Sequence, residues 1–437
     1  MTEPEARLVG AVAAGDAQAV LDLPAAGADP DAAGGDGLPV LCAAVAAYAA
    51  EAARALVEGG ADPDRVLPDG TTPLLRAVEG GSPAVVSALL GDARPRLPEA
   101  EQGRLLAAAR QWYEEGAEAR LRRLTGAAGP ADTGWARDAE YEGVAEVALA
   151  GRTVRAGHGA VLTLLEREFG VLPPVEELVA RGVRHEAEDH VDRSAAVWVL
   201  LLRESAETWR QVVGFHRHPS AAHRGFVADF LSCGARMSTV LAYPRWYAEQ
   251  RTELLSSWAD AEPDAGVLAL VLGLLAEEAH PRARDFGLRH ARHPDPRVRR
   301  RVPPLFDRPL DAETARAVRE LGRDADAGVR AEAPLSQEDR EALIVLLRDE
   351  DPEVRARAVY TAGHAADRTP RLTEALMELL DSDEQETRLA VAFAVACRDD
   401  PRTPEAYARV GPLGPELAGD HRADGLWRWR HRNRPGP

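Results

Sequence analysis

Apolar residues recur along the first ninety positions with a fixed offset. Leu8, Ala11 and Val12 are answered by Leu41, Ala44 and Val45, and again by Leu74, Ala77 and Val78, while Leu23, Leu56 and Leu89 close each unit. Spacings of three and four place such residues on one face of a helix. A unit of 33 residues has room for two short helices and a turn, so the pattern predicts stacked helix pairs. The turn is spelled twice, as GADPD at 27–31 and 60–64, and Asp36-Gly37 maps onto Asp69-Gly70. Helical periodicity continues through Leu105, Leu106, Ala109, Trp112, Leu121 and Leu124, which is expected to cover the open end of the stack. The rhythm then fails. Residues 125–143 are rich in Gly, Ala and acidic residues and read as a linker, and 144–159 suggests a small hairpin turning at Ala150-Gly151.

From about residue 160 one helical period follows another, separated by short turns: HPDPRVRRRV (293–302), DADAGVRAEA (324–333), DEDPEVRARA (349–358) and DSDEQETRLA (381–390). Asp before a helix accepts a hydrogen bond from an unpaired backbone N–H, and Pro at the first helical position loses nothing. Asp295, Asp326, Asp351 and Asp383 are therefore expected at helix starts, with Arg299, Arg330, Arg355 and Arg388 following by four or five positions. These eight residues read as structural. Each Asp can pair with its Arg within the turn, and stacked copies can alternate charge between repeats. A functional alternative is a strip of arginines that grips acidic partners. A looser copy of the turn is HPSAAHRGFVADFL at 218–231.

Two resemblances attach to these motifs. DGTTPLLRAVEGGSPAVVSALL, residues 69–90, resembles the ankyrin repeat, and the Asp-Pro-x-Val-Arg turns resemble HEAT-type repeats, in particular the short bacterial HEAT-like repeats of phycobilisome lyases. The combination is similar to repeat proteins of high-GC bacteria. Together they imply an all-α solenoid, with ankyrin repeats and capping helices over 1–124, a linker or small hairpin over 125–159, HEAT-like repeats over 160–420 and a basic aromatic tail over 421–437. They also imply a non-enzymatic protein-binding scaffold or adaptor. A HEAT-type enzyme acting on DNA bases or tetrapyrroles is the alternative that the same resemblance offers.

Composition narrows the chemistry. The chain has no lysine, one asparagine (Asn433) and one isoleucine (Ile344), which suggests a GC-rich bacterial genome and excludes the P-loop lysine, Schiff bases and Ser-Lys nucleophile pairs. A net charge of −18 argues against general affinity for nucleic acid. Cys42, Cys233 and Cys397 share no ligand spacing and are expected as buried thiols. The acidic start MTEPEARLVG does not read as a secretory signal, and the longest apolar run, 267–276, falls short of the roughly 20 residues that cross a bilayer, so a cytoplasmic protein is expected. RHEAEDH (184–190) approaches the HExxH zinc motif with one residue too many: on a helix, His185 and His190 would diverge. His216, His218 and His223 surround Pro219 and read as repeat-turn chemistry. No metal, cofactor or catalytic residue is expected.

Binding is expected at the ankyrin turns, where register places Arg65, Leu67 and Asp69 at a tip and Arg76 and Glu79 on an inner helix face. Residues 1–98 carry 14 acidic and 6 basic side chains, which favours a protein partner with a basic surface. The tail GLWRWRHRNRPGP (425–437) alternates Trp with Arg. It would either cover the end of the solenoid or touch a membrane, RNA or an acidic partner.

Overall fold

A computed structural model describes residues 2–91, 97–140, 142–187, 189–237, 245–333, 339–417 and 419–432. About 66% of the chain is helical, with 25 α-helices among the described residues. The architecture is an all-α repeat solenoid with one small sheet. Contacts divide it into two compact units, Met1–Tyr243 and Pro244–Pro437.

Three helix pairs open the first unit: Glu3–Ala14 with Ala17–Ala25, Val40–Ala46 with Ala50–Glu58, and Pro73–Gly80 with Pro83–Leu90. Their starts are written in the sequence. Thr2 and Glu5 form a reciprocal capping box, Asp16 caps the second helix, and Thr72 and Ser82 accept the N–H groups of Leu75 and Val85 ahead of a Pro at the helix start. The leucine columns Leu8/Leu41/Leu74 and Leu23/Leu56/Leu89 are buried, each contributing about 1.5–3 kcal/mol. The repeated GADPD turn is held by its aspartates. Asp29 and Asp62 accept the N–H of Asp31 and Asp64, and Asp31 reaches across to the N–H of Asp62 at 3.1 Å, tying one repeat to the next. Helix Glu99–Glu115 adds Leu105 and Ala109 to this core, and helix His158–Glu168 adds Val161, Leu162 and Leu165.

The stretch 125–159 holds a three-stranded antiparallel sheet in the order β1 (Asp132–Ala139), β2 (Glu142–Leu149), β3 (Arg152–Arg155), where the sequence suggested a linker or a hairpin. Ala150-Gly151 turns β2 into β3. The two faces of β2 serve different cores: Val147 and Leu149 pack with Trp112 and Leu121, while Val144 meets Ala160 and Val191. Behind it lie helices Val175–Gly182, Val191–Leu202, Ala206–Gly214 and Ala221–Met237. Arg181 is wholly buried here and bonded to the equally buried Glu166 at 2.5 and 3.1 Å, with Thr163 at 3.0 Å and Arg110 reaching Glu166 from the surface at 2.8 Å.

The second unit runs from helix Arg245–Ala261 to helix His421–Arg432. Its turns share one arrangement with the turn at 218 in the first unit. A side chain at position i accepts the N–H at i+2, and an arginine at i+6 donates to the carbonyls of i and i+1. The positions are His218 with Arg224, His293 with Arg299, Asp324 with Arg330, Asp349 with Arg355, and Ser382 with Arg388. Asp295, Asp326 and Asp351 stand at N-caps and accept backbone N–H bonds, as their position before a helix requires. Asp383 does not: Glu384 occupies that N-cap without a side-chain bond.

The arginines also differ from the expected pairing within a turn. Their fixed bonds to the turn carbonyls aim the rest of the guanidinium outward, so Arg299 meets Asp324 at 2.7 Å and Arg330 meets Asp349 at 2.8 Å, each in the following turn. Charge therefore alternates between repeats. Burial pushes Asp324 and Asp349 up, but the bonds from Arg299 and Arg330 outweigh it and hold both carboxyls below their ordinary range.

Candidate functional site

The tip between the second and third ankyrin pairs is built around Asp69. Its carboxylate accepts the Thr71 N–H (3.0 Å) and hydroxyl (2.6 Å) and takes Arg76 at 2.9 Å, and Arg76 also donates to the Thr71 hydroxyl at 3.0 Å. The Thr71 bonds, joined by Arg76, lower the Asp69 carboxyl to about 2. Arg65 is half exposed with Asp31 at 3.9 Å. Leu67 corrects the expected surface, because it is buried. Its N–H bonds the Thr71 carbonyl and its own carbonyl takes the Gly70 N–H, which closes the turn and directs the side chain inward. The exposed apolar residue at this tip is its neighbour Val66, at 74% exposure.

The turn joining the two helices of the third pair, at the far end of helix Pro73–Gly80 from the tip, is held by the chain itself. Asp138 on β1 accepts the Ser82 hydroxyl at 2.5 Å and the Ala84 N–H at 3.0 Å, and it pairs with Arg155 on β3 at 2.8 Å. Arg155 lies 4.2 Å over the ring of Tyr48, whose hydroxyl reaches the carbonyls of Gly80 and Thr153, each at 3.1 Å; burial drives that hydroxyl up to about 12. His158 stacks on Trp112 at 4.8 Å and donates from Nε2 to the Glu79 carbonyl at 3.1 Å. Burial depresses His158 to about 4, so its ring is neutral near pH 7. Gly81 and Gly157 pass so closely that a Cβ on Gly81, whose φ is +74°, would run into the Arg155 carbonyl. Glu79 is consequently half-buried, with burial raising its carboxyl, and Arg76 is engaged by Asp69. Sequence reasoning missed Tyr48, which takes the place of Gly15 and Gly81 in the second repeat, and Asp138, Arg155 and His158, which lie outside the repeats.

His185, His190 and Asp192 do come together, their donor atoms lying within 4.8 Å of one another and the two rings stacked at 3.7 Å. Helical divergence does not apply, since helix Val175–Gly182 has ended and Val191–Leu202 begins after His190. Protonation opposes a metal here. His190 Nδ1 accepts the Asp192 N–H at 3.2 Å, so the neutral ring carries its proton on Nε2 and that atom has no lone pair to give. Asp192 accepts the Ala160 N–H at 2.7 Å and faces His185 Nε2 at 3.4 Å. The carboxylate thereby sits at the positive end of helix His158–Glu168, a capping role. His218 likewise accepts the Ser220 N–H and stacks on His223 at 3.9 Å, while His216 bonds the Val213 carbonyl.

Two further features bear on binding. A groove of about 550 Å³ in the first unit is lined by Trp198, 40% exposed, with Val197, Leu201, Arg193, Asp229 and Glu142. In the second unit, three arginines of the RVRRR run are committed to carboxylates: Arg297 to Asp295, Arg299 to Asp324 and Arg300 to Glu332. No helix among the described residues is long and apolar enough to cross a membrane.

Helix pairs joined by Asp-bonded tips define the N-terminal part as a repeat array of the protein-interaction class. Residues 8–98 match the family described as Ankyrin repeats (3 copies), so this part of the chain consists of ankyrin repeats. Among solved structures, the X-ray structure of YibA of Escherichia coli is similar at 17% sequence identity, over 59% of this chain and 93% of its own, with a TM-score of 0.42. A search of curated proteins finds no match.

Proposed function

We propose that this chain is a non-enzymatic, cytoplasmic scaffold or adaptor whose ankyrin tips and HEAT-like repeats bind proteins. Ankyrin repeats are generally protein-interaction modules, and the observation that carries the reading is the exposed tip of Arg65, Val66 and Asp69, at the far end of helix Pro73–Gly80 from the turn that β1 and β3 hold. A tip that holds its shape through Thr71 and Arg76 loses little freedom on binding, and preorganisation of this kind favours affinity. The i, i+2, i+6 turns support the HEAT-like reading of the later repeats. The commitment of three of the four RVRRR arginines to carboxylates reduces the free positive charge that a nucleic-acid groove would need. The acidic balance of the ankyrin part favours a basic partner surface, captured faster at low salt. Three separate free thiols, Cys42, Cys233 and Cys397, accord with a reducing compartment.

The test is substitution at the tip. Excising residues 1–95 would expose Val161, Leu162 and Leu165, which complete the ankyrin core. Arg65→Ala with Val66→Ser leaves the core and the Asp69 bonds in place. We expect capture of the main partner from native lysate to weaken about tenfold, the scale of losing one interface anchor, with the melting temperature unchanged. Undiminished capture would refute the tip as the binding surface.

A further inference from the structure

We propose that the C-terminal end of the second unit carries a docking pocket for an acidic protein segment bearing a bulky apolar side chain. Helix His421–Arg432 divides its aromatics. Leu426 is buried in the core and Trp429 packs against that core, so Trp429 helps to close the end of the helical stack. Trp427, two positions earlier and therefore about 200° around the helix, is 57% exposed. It meets Tyr407 and Leu413, also exposed, around a pocket of about 460 Å³ whose other walls include Leu389, Val410 and Ala423. Single exposed apolar residues are ordinary, but three converging on one concavity mark an interaction site.

The charge beside the pocket selects the occupant. Arg428, Arg430 and Arg432 lie exposed on the same helix, and none has a carboxylate partner among the described residues. Their neighbours are engaged: Arg409 with Asp381, and Arg422 with Asp420 and Glu386. Arg430 stands 5.7 Å from the Tyr407 ring centroid, at the edge of the apolar surface. The pocket wall itself carries one carboxylate, Asp424, against these three arginines, so the surroundings keep a positive excess that, in a chain of net charge −18, is complementary to carboxylates flanking an apolar anchor. A stacked RNA base fits less well, because one face of the Trp427 ring is covered by His431 at 3.8 Å and the other walls are largely aliphatic. A lipid surface would want apolar side chains presented outward rather than around a concavity.

The proposal rests on the protein-binding reading but on a different surface from the ankyrin tip, so each can fail alone. A displayed library of random 16-residue peptides is selected against the full chain, with the Trp427→Ala protein as counter-selection. Surviving peptides should combine Asp or Glu with Leu, Phe or Trp, and should bind Trp427→Ala at least tenfold more weakly. Arg428→Ala with Arg432→Ala should weaken them most at low salt, and the deficit should shrink as salt is raised. The exposed positions should leave the melting temperature unchanged. Survivors without that composition, or no survivors, overturn the proposal. Vesicles of phosphatidylserine, or oligouridylate, that bind the wild type and lose binding with Trp427→Ala would assign the pocket to lipid or RNA instead and overturn it equally.

Discussion

The two units place their polar groups differently. In the first unit, charge and imidazole are taken inside: Arg181 with Glu166, and His158 and His190 with 2% exposure or less. Burial is the largest cause of their neighbours' shifts, lifting Tyr48 to about 12 and depressing His158 and His190 to about 4. In the second unit, aspartates stay at turns and are lowered by bonds. Asp295, Asp311, Asp400 and Asp420 fall to about 2, chiefly through Arg297, the Thr314 N–H, Arg402 and Arg422. Asp69, at the ankyrin tip, is the first unit's counterpart of that second kind. Buried polar groups fix one arrangement of unlike parts, here repeats, sheet and later helices. A surface ladder joins like parts and can be repeated along an array.

The largest expected effect separates the units directly. Glu166→Ala leaves Arg181 charged, wholly buried and short of its main partner, and breaking such a pair costs about 3–5 kcal/mol. Hydrogen exchange should show peptides from 158–182 losing protection while peptides from 340–397 keep theirs. A loss under about 1 kcal/mol would mean that Glu177 and Thr163 alone satisfy Arg181.

Acid should reach the His158 cluster before the turn aspartates. His158 has a folded value below its unfolded one, so its contribution is present above about pH 6.5 and is lost as pH falls toward 4. A depression from 6.5 to about 4 corresponds to a contribution on the order of 3 kcal/mol. The lowered aspartates contribute above about pH 4, their unfolded value, and lose that contribution as pH falls toward 2. Exchange followed from pH 7 to 2 should therefore loosen residues 73–90 and 158–168 before the turns at 295 and 400. The reverse order would break the comparison.

Within the ladder, Arg330→Ala removes two carbonyl bonds and the Asp349 pair and should cost about 1–3 kcal/mol. Arg330→Lys should recover only part of this, since a single ammonium cannot serve both sides. Equal stability of the two variants would show that the charge alone matters. The smallest effect concerns His185, His190 and Asp192: an added equivalent of zinc should move the melting temperature by less than about 1 °C. A larger rise would reopen a metal role through linkage.

The ankyrin columns were legible because a repeat must present the same face at every copy, and Leu8, Leu41 and Leu74 do so. The turn aspartates at 295, 326 and 351 were legible for the same reason, since capping is a local property. The sheet was not. β1 reads DTGWARDA with scarcely a buried residue, and β2 gains its burial from Trp112 and Leu121, which no periodicity links to it. His185 and His190 meet because the chain between them turns, as a segment ahead of a helix can, whereas helical spacing would have set them apart. Leu67 and Val66 exchange roles through two backbone bonds that close a turn, a geometry invisible to register. The clamp of Asp138, Arg155, Tyr48 and His158 is a set of single residues from four separate segments, each unremarked in its own surroundings.

Arg299 and Arg330 are each satisfied half by their own turn and half by the turn after it, and Asp324 and Asp349 present the same carboxylate to the arginine before them. The joint is therefore standardised, like identical couplings between carriages. Removing residues 324–348 as a block would bring Asp349 to the position where Arg299 now finds Asp324, so one repeat can be lost by recombination while the Arg299 junction stays neutralised.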